Sequence, residues 1–305
     1  MNKFNNSEYQ VLVSDLIGDV YYSSTSYRGK VATLRQYAEV VVRKILDIEP
    51  KKDITLGDKY IRQGIEALPN SDIIKLAVKK LRKEGNKTTH TQYRGKVTED
   101  EFNTAADGLF DLLAYLLIDY FEKYEFGTNG NIMYAFSILP PIIRYKVLVF
   151  LHEKYPDNIA VIDKLVLAML KAFNVEKAIS WVEMNREELS KMPICSCNDI
   201  NKVAEQDLNL AIRLMVEVQP NMYQLCIDKI EKVGATIRNN GLTYSDFESA
   251  LPYYKKFGIV QGDTKNIKEF NDVMEFLYMG RQKRERLCSS VDTATTVLDV
   301  MESSK

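Results

Sequence analysis

Residues 98–124 read TEDEFNTAADGLFDLLAYLLIDYFEKY. Thr98 stands three residues before Glu101, the spacing at which a hydroxyl and a carboxylate satisfy each other's backbone N–H groups at a helix start. Behind that pair, Ala106, Leu109, Phe110, Leu113, Leu116, Leu117 and Phe121 recur at intervals of three and four. Apolar residues so spaced share one helical face and need a core to cover it. The stretch therefore predicts a long helix from Phe102 to about Tyr124 at the centre of a helical bundle. Its apolar run, Leu109–Phe121, is broken by Asp111 and Asp119. No run in the chain approaches the roughly 18 apolar residues that would span a bilayer.

The same period extends towards the N-terminus. Between Arg28 and Asp47, Val31, Leu34, Ala38, Val41, Val42, Ile45 and Leu46 form one apolar face, with Pro50 as the stop. A shorter helix is expected over Leu56–Leu68, ended by Pro69 and Asn70. Ser71 and Asp72 can cap the next, in which Ile73, Ile74, Ala77, Val78 and Leu81 face inwards. Towards the C-terminus, Phe126-Gly-Thr-Asn-Gly-Asn131 concentrates helix breakers and marks the expected domain boundary. Helical pieces continue beyond it, with Ile159–Phe173 and Val175–Asn185 expected to pair and a helix from Phe270 to Leu287 near the end. With 14 Gly and 8 Pro in 305 residues, there is little material for the turns of an all-β fold. The expectation is an all-α protein of two helical domains, 1–126 and 131–305, the second a regulatory, sensor or partner-binding domain.

Charge is where function first shows. The chain carries a net charge of -1, yet Lys75–Lys96 holds eight basic residues against one acid, Glu84. Such clustering is the footprint expected for a polyanion, with nucleic acid the foremost candidate; the bland alternative is the solvated face of a helix. Within it, Arg82, Asn86 and His90 stand at i, i+4 and i+8, so a continuing helix projects a guanidinium, a carboxamide and an imidazole from one side. Gly85 weakens the helix here and puts His90 at its end or in the following turn. Imidazole exchanges a proton near neutral pH, and guanidinium stabilises charge developing on phosphate. The pair suffices for RNA cleavage by the neighbouring 2′-hydroxyl without a metal, and the expectation is no metal and no cofactor.

At these residues the sequence resembles a family. Leu34-Arg35-x-x-x-Glu39 on one helix, then Leu81-Arg-Lys-Glu-Gly-Asn-Lys-Thr-Thr-His90, then a long apolar helix, is similar to the HEPN domains whose signature is Arg, Gly-Asn and His. The resemblance covers about residues 28–125. It implies an all-α bundle that dimerises, or forms a higher oligomer, and brings two Arg–His motifs to one cleft. It also implies a metal-independent endoribonuclease of phage defence, abortive infection or toxin systems. The products expected are 2′,3′-cyclic phosphate and 5′-hydroxyl ends. Carried over, Arg82 stabilises the pentacoordinate phosphate, His90 is the acid or base, and Asn86 orients one of them; Lys79, Lys83 and Lys87 contact phosphates. Seven residues separate Arg82 from His90, where the common motif has four to six. Some members are non-catalytic dimerisation or nucleic-acid-binding modules, which is the alternative reading.

Other features carry less. Tyr-Arg-Gly-Lys occurs at 27–30 and 93–96, and Arg28, Arg94 and Lys96 become further RNA contacts with tyrosines beside them for base stacking. Cys195-Ser-Cys197 lacks the two- to four-residue spacing of structural zinc sites. Arg281–Arg286 reads as a solvated helix face, and His152 and Trp181 as packing. The N-terminal residues are polar, without a signal-peptide pattern, and the four cysteines form no disulfide framework; a cytoplasmic setting is expected.

Overall fold

A computed structural model describes residues 3–89, 93–194, 204–205, 207–209, 212 and 221–283. Among these residues the structure is all-α, with thirteen α-helices, one π-helical turn and no strand beyond an isolated bridge between Pro193 and Asn221.

The chain divides into two compact units, residues 1–147 with 246–305, and residues 148–245. The first unit opens with α1 (Asn6–Ile17), the π-helical turn (Gly18–Tyr22) and α2 (Tyr27–Ile45). There follow α3 (Lys59–Glu66), α4 (Ser71–Thr89), α5 (Glu99–Lys123), α6 (Gly130–Phe136) and the first half of α7 (Pro141–Lys154). It is completed by α12 (Phe247–Phe257) and α13 (Lys265–Tyr278). The second unit holds the rest of α7 with α8 (Ile159–Ala172), α9 (Val175–Met184), α10 (Arg186–Lys191) and α11 (Met222–Asn240).

The capping box that the sequence predicts is present: Thr98 N donates to Glu101 Oε2 at 2.9 Å, and Glu101 N donates to Thr98 Oγ1 at 3.3 Å. From there α5 runs for 25 residues with Leu109, Leu112, Leu113 and Leu117 wholly buried. Each fully buried leucine contributes roughly 1.5–3 kcal/mol, which makes α5 the axis against which α2 and α4 pack. On α2 the buried residues are Val31, Leu34, Tyr37, Ala38 and Val40–Val42; on α4 they include Ile74, Ala77, Val78 and Leu81. Most of each set falls where the helical period puts it; Ile45, Leu46 and Ile73, expected inwards, are half-buried, and Tyr37 and Val40 join the core.

Three local expectations differ. The breaker-rich stretch at 126–131 is a turn inside the first unit, so the units do not follow the expected limits 1–126 and 131–305. Phe126 is buried between Phe121 and Phe136, ring centroids 4.8 and 5.4 Å away, and Asn129 caps α6 by accepting from Asn131 N and Ile132 N. A phenylalanine on each side of the turn holds the chain in one core. Near the end, the helix expected through Leu287 stops at Tyr278. Gly280 takes φ +73°, and a Cβ there would meet the backbone of Ser14 at 2.8 Å, so only glycine fits this approach.

Arg281, expected on a solvated face, is buried instead. It bonds Glu248 at 3.2 Å, its guanidinium lies 4.4 Å from the Phe247 ring, and the Tyr22 hydroxyl donates to the same Glu248 oxygen at 2.7 Å. A buried guanidinium needs such a counter-charge to offset its desolvation, and Glu248 supplies it. Arg284 and Arg286 lie outside the described residues.

In the second unit, α8 packs against α9 as expected and against α11, with Val161, Ile162, Leu165 and Val166 buried. His152 meets Trp181 edge-on at 5.2 Å, and burial holds its pKa below the ordinary histidine value. It is a packed imidazole. Cys226 is buried and its thiol is pushed up to about 12, foremost by burial, which leaves it unreactive. Cys195, Cys197 and Cys288 lie outside the described residues. Among the described residues no group of His, Cys, Asp or Glu could hold a metal ion, and no helix is long and apolar enough to cross a membrane.

Candidate functional site

The basic stretch folds as α4 from Lys75 onwards, continuing unbroken through Gly85 to Thr89, with Arg94 and Lys96 beyond the helix. What lets Gly85 stand inside the helix is its neighbour: a Cβ there would meet Arg35 Cδ at 2.8 Å and Arg35 Cβ at 3.5 Å. Arg35 of α2 lies across the missing side chain and donates from Nη1 to Asn86 Oδ1 at 2.9 Å. The Gly-Asn pair thus acts as one device, in which glycine opens the passage and asparagine receives the arginine that uses it. Glu39, one turn along α2, accepts from Leu56 N at 3.4 Å. Burial raises its carboxyl pKa above the usual value, against the opposing pull of Arg35 and Arg43.

A groove of about 380 Å³ opens between α3 and α4. Its α4 wall is Lys75, Val78, Lys79, Arg82, Lys83 and Asn86; its α3 wall is Arg62, Ile65 and Glu66. The α4 residues follow intervals of three and four, a single stripe over twelve positions, which at ~1.5 Å of rise per residue runs about 16 Å. Five cationic side chains and one carboxylate line the groove over a floor of Ile65 and Val78, both buried. Among the described residues, neither Arg82 nor Lys79 has an ion-pair partner. The groove thus gathers Arg82, Asn86, Lys79 and Lys83.

The remaining candidates are placed elsewhere. Lys87 turns towards α5, bonding Glu101 Oε1 at 2.5 Å and the buried Glu84 at 2.7 Å. Those two bonds, Glu101 first, raise its pKa and fix its charge. Lys80 is held similarly by Asp107 and Asp111, at 2.5 and 2.8 Å, and Lys146 bonds the same two carboxylates. Burial alone would lower the pKa of Lys80; the bonds to Asp107 and Asp111 outweigh it and the net shift is upward. Arg28 is a backbone clasp: Nη1 donates to the Lys87 carbonyl at 2.9 Å, and Nη2 to the carbonyls of Tyr93 and Gly95 at 3.1 and 2.8 Å. Its guanidinium also lies 5.6 Å from the Tyr93 ring. The two Tyr-Arg-Gly-Lys copies therefore meet, with the arginine of the first gripping the main chain of the second. Arg94 and Lys96 are exposed. His90 lies outside the described residues.

Sequence reading missed the α3 wall. Arg62, Ile65 and Glu66 stand at i, i+3 and i+4, and only four residues join α3 to α4. A connection that short makes adjoining helices neighbours, so that pattern was the available signal.

Chemically, the groove can take a polyanion along α4 and present a guanidinium at Arg82 and a carboxamide at Asn86 to it. Comparison of the chain with protein-family models, with curated proteins and with solved structures found no match.

Proposed function

We propose that the protein is a metal-independent endoribonuclease of the HEPN type, acting as a toxin or phage-defence effector. The observation that supports this most directly is the placement of Arg82 and Asn86 on successive turns of α4, both lining one cationic groove. In this reaction the 2′-hydroxyl of one nucleotide attacks the adjacent phosphorus, and the bond from phosphorus to the 5′-oxygen of the next nucleotide breaks. His90 takes the proton from the 2′-hydroxyl or returns one to the leaving oxygen. Arg82 stabilises the charge on the pentacoordinate phosphate. Asn86, held by Arg35, keeps the groove's end in register. The products are a 2′,3′-cyclic phosphate and a 5′-hydroxyl. Two copies of the chain would bring two such grooves together, and the second unit would sense a trigger or recruit a partner.

The test is RNA cleavage by purified protein in EDTA, with wild type beside Arg82→Ala and His90→Ala and with product ends identified. Cyclic-phosphate ends from wild type alone support the proposal. Equal cleavage by His90→Ala, or products with other ends, would overturn it.

One observation favours a second reading. Asn86 Oδ1 is already engaged by Arg35 in the free protein, as expected of a residue that holds two helices together. On that reading the groove binds nucleic acid without cutting it, as a module of a larger complex. RNA retained by wild type in a salt-dependent manner, with no cleavage and no toxicity on expression, would be its signature.

A further inference from the structure

The groove's composition is unusual for a surface that only follows a phosphate backbone. A carboxylate placed among cations repels phosphate, and Glu66 is exposed on the wall opposite α4. Among the described residues it makes no ion pair with any of the cations. The floor between the walls is aliphatic, made by Ile65 and Val78 and flanked by the methylene stems of the lysines and Arg82. The volume of about 380 Å³ falls within the roughly 300–1,000 Å³ of small-molecule sites. An aliphatic floor suits the face of a nucleobase, and the cations suit its phosphates.

We propose that this groove is a guanine-recognising nucleotide subsite in which Glu66 reads the base. An ionised carboxylate only accepts hydrogen bonds, through two oxygens side by side. Guanine alone among the four RNA bases presents two adjacent donors on its Watson–Crick edge, N1–H and the N2 amino group. Adenine and cytosine each offer a donor beside an acceptor, and uracil one donor between two acceptors. A bidentate pair to Glu66 satisfies both guanine donors and leaves every other base with an acceptor facing an oxygen. The base then lies over the aliphatic side-chain stems that cover the buried Ile65 and Val78, and its phosphates reach Lys79, Arg82 and Lys83. The inference deepens the ribonuclease reading by assigning the base next to the phosphate that Arg82 holds.

Mononucleotide binding tests it without depending on catalysis. Calorimetric titration of the full chain with GMP, IMP, AMP, CMP and UMP, and with inorganic phosphate as control, should give GMP the tightest binding by about tenfold. IMP, which lacks the N2 amino group, should lose most of that advantage. Glu66→Gln should erase the preference for GMP while keeping wild-type helicity, because the side chain is exposed and unpaired. Equal affinities for the five nucleotides, no nucleotide binding, or a GMP preference that survives in Glu66→Gln would each overturn the subsite. RNA cleavage on the same preparation separates the two readings. Cleavage without base preference removes the subsite and leaves the nuclease; GMP selectivity without cleavage removes the nuclease and leaves the subsite.

Discussion

Two sides of α4 carry the same kind of residue to opposite ends. On the side facing α5, Lys80 and Lys87 are bonded to Asp107, Asp111, Glu84 and Glu101. On the side facing α3, Lys79, Arg82 and Lys83 line a groove whose single carboxylate pairs with none of them among the described residues. A count of charges along the sequence adds the two sides together. The fold separates them: on the second side Arg82 and Lys79 have no ion-pair partner among the described residues, and Lys83 and Lys75 keep only the solvent-exposed contacts to Glu84 at 3.7 Å and Asp72 at 3.2 Å. Net local charge therefore overstates a binding face wherever a basic helix packs beside an acidic one.

The largest expected effect lies on the groove side. Arg82→Ala should lower cleavage by about 10²–10³-fold, the usual loss on removing one donor to a developing oxyanion, with helicity unchanged by circular dichroism. Cleavage within a fewfold of wild type would place Arg82 outside the reaction. Next comes the α5 side. Lys87→Ala leaves the buried Glu84 carboxylate, whose side chain is only 4% exposed, with the solvated Lys83 at 3.7 Å as its remaining cation. It should cost about 2 kcal/mol in denaturant unfolding, below the full buried-pair penalty because Lys87 is partly solvated. RNA affinity per folded molecule should stay as in wild type. An RNA-binding loss without a stability loss would place Lys87 on the interface and erase the distinction between the sides.

Smaller still, Lys79→Glu and Lys83→Glu should each weaken RNA binding at low salt and flatten the log–log salt slope by about 0.7, one phosphate contact on single-stranded RNA. An unchanged slope would remove that residue from the groove's working surface. The smallest effect is a pH dependence. Burial pushes the Asp107 carboxyl up, but Lys146 and then Lys80 more than offset it, so its folded pKa is lowered. Its stabilisation is fully present above about pH 4, the ordinary aspartate value, and is lost as pH falls through the lower folded value. Asp107→Asn should therefore show a shallower decline of stability in that acid range than wild type.

Legibility followed the range of the interaction concerned. The α5 capping box and the buried faces of α2, α4 and α5 depend on neighbours three or four residues away, and these could be read directly. So could the sharing of one face by Arg82 and Asn86. Apart from Glu84, three residues before Lys87, the acids that pair with Lys80 and Lys87 lie 14 to 31 residues further on, and the sequence shows only that such acids exist. Arg28 looked like a phosphate contact because its carbonyl partners lie 59 to 67 residues away. The expected boundary at 126–131 misled because composition reveals a turn but not the aromatic core on both sides of it. Arg281 misled for a similar reason: its counter-charge, Glu248, is 33 residues earlier in the chain.

The Arg28 clasp has a consequence for tolerance to change. Its three bonds go to main-chain carbonyls, so they hold residues 87, 93 and 95 whatever side chains those positions carry. A guanidinium that pins both ends of a short segment meets much of that segment's closure entropy in advance. Side-chain changes at those three positions leave the clasp itself in place. That tolerance rests on the planar fork of one arginine, and lysine at position 28 would keep the charge while losing the staple.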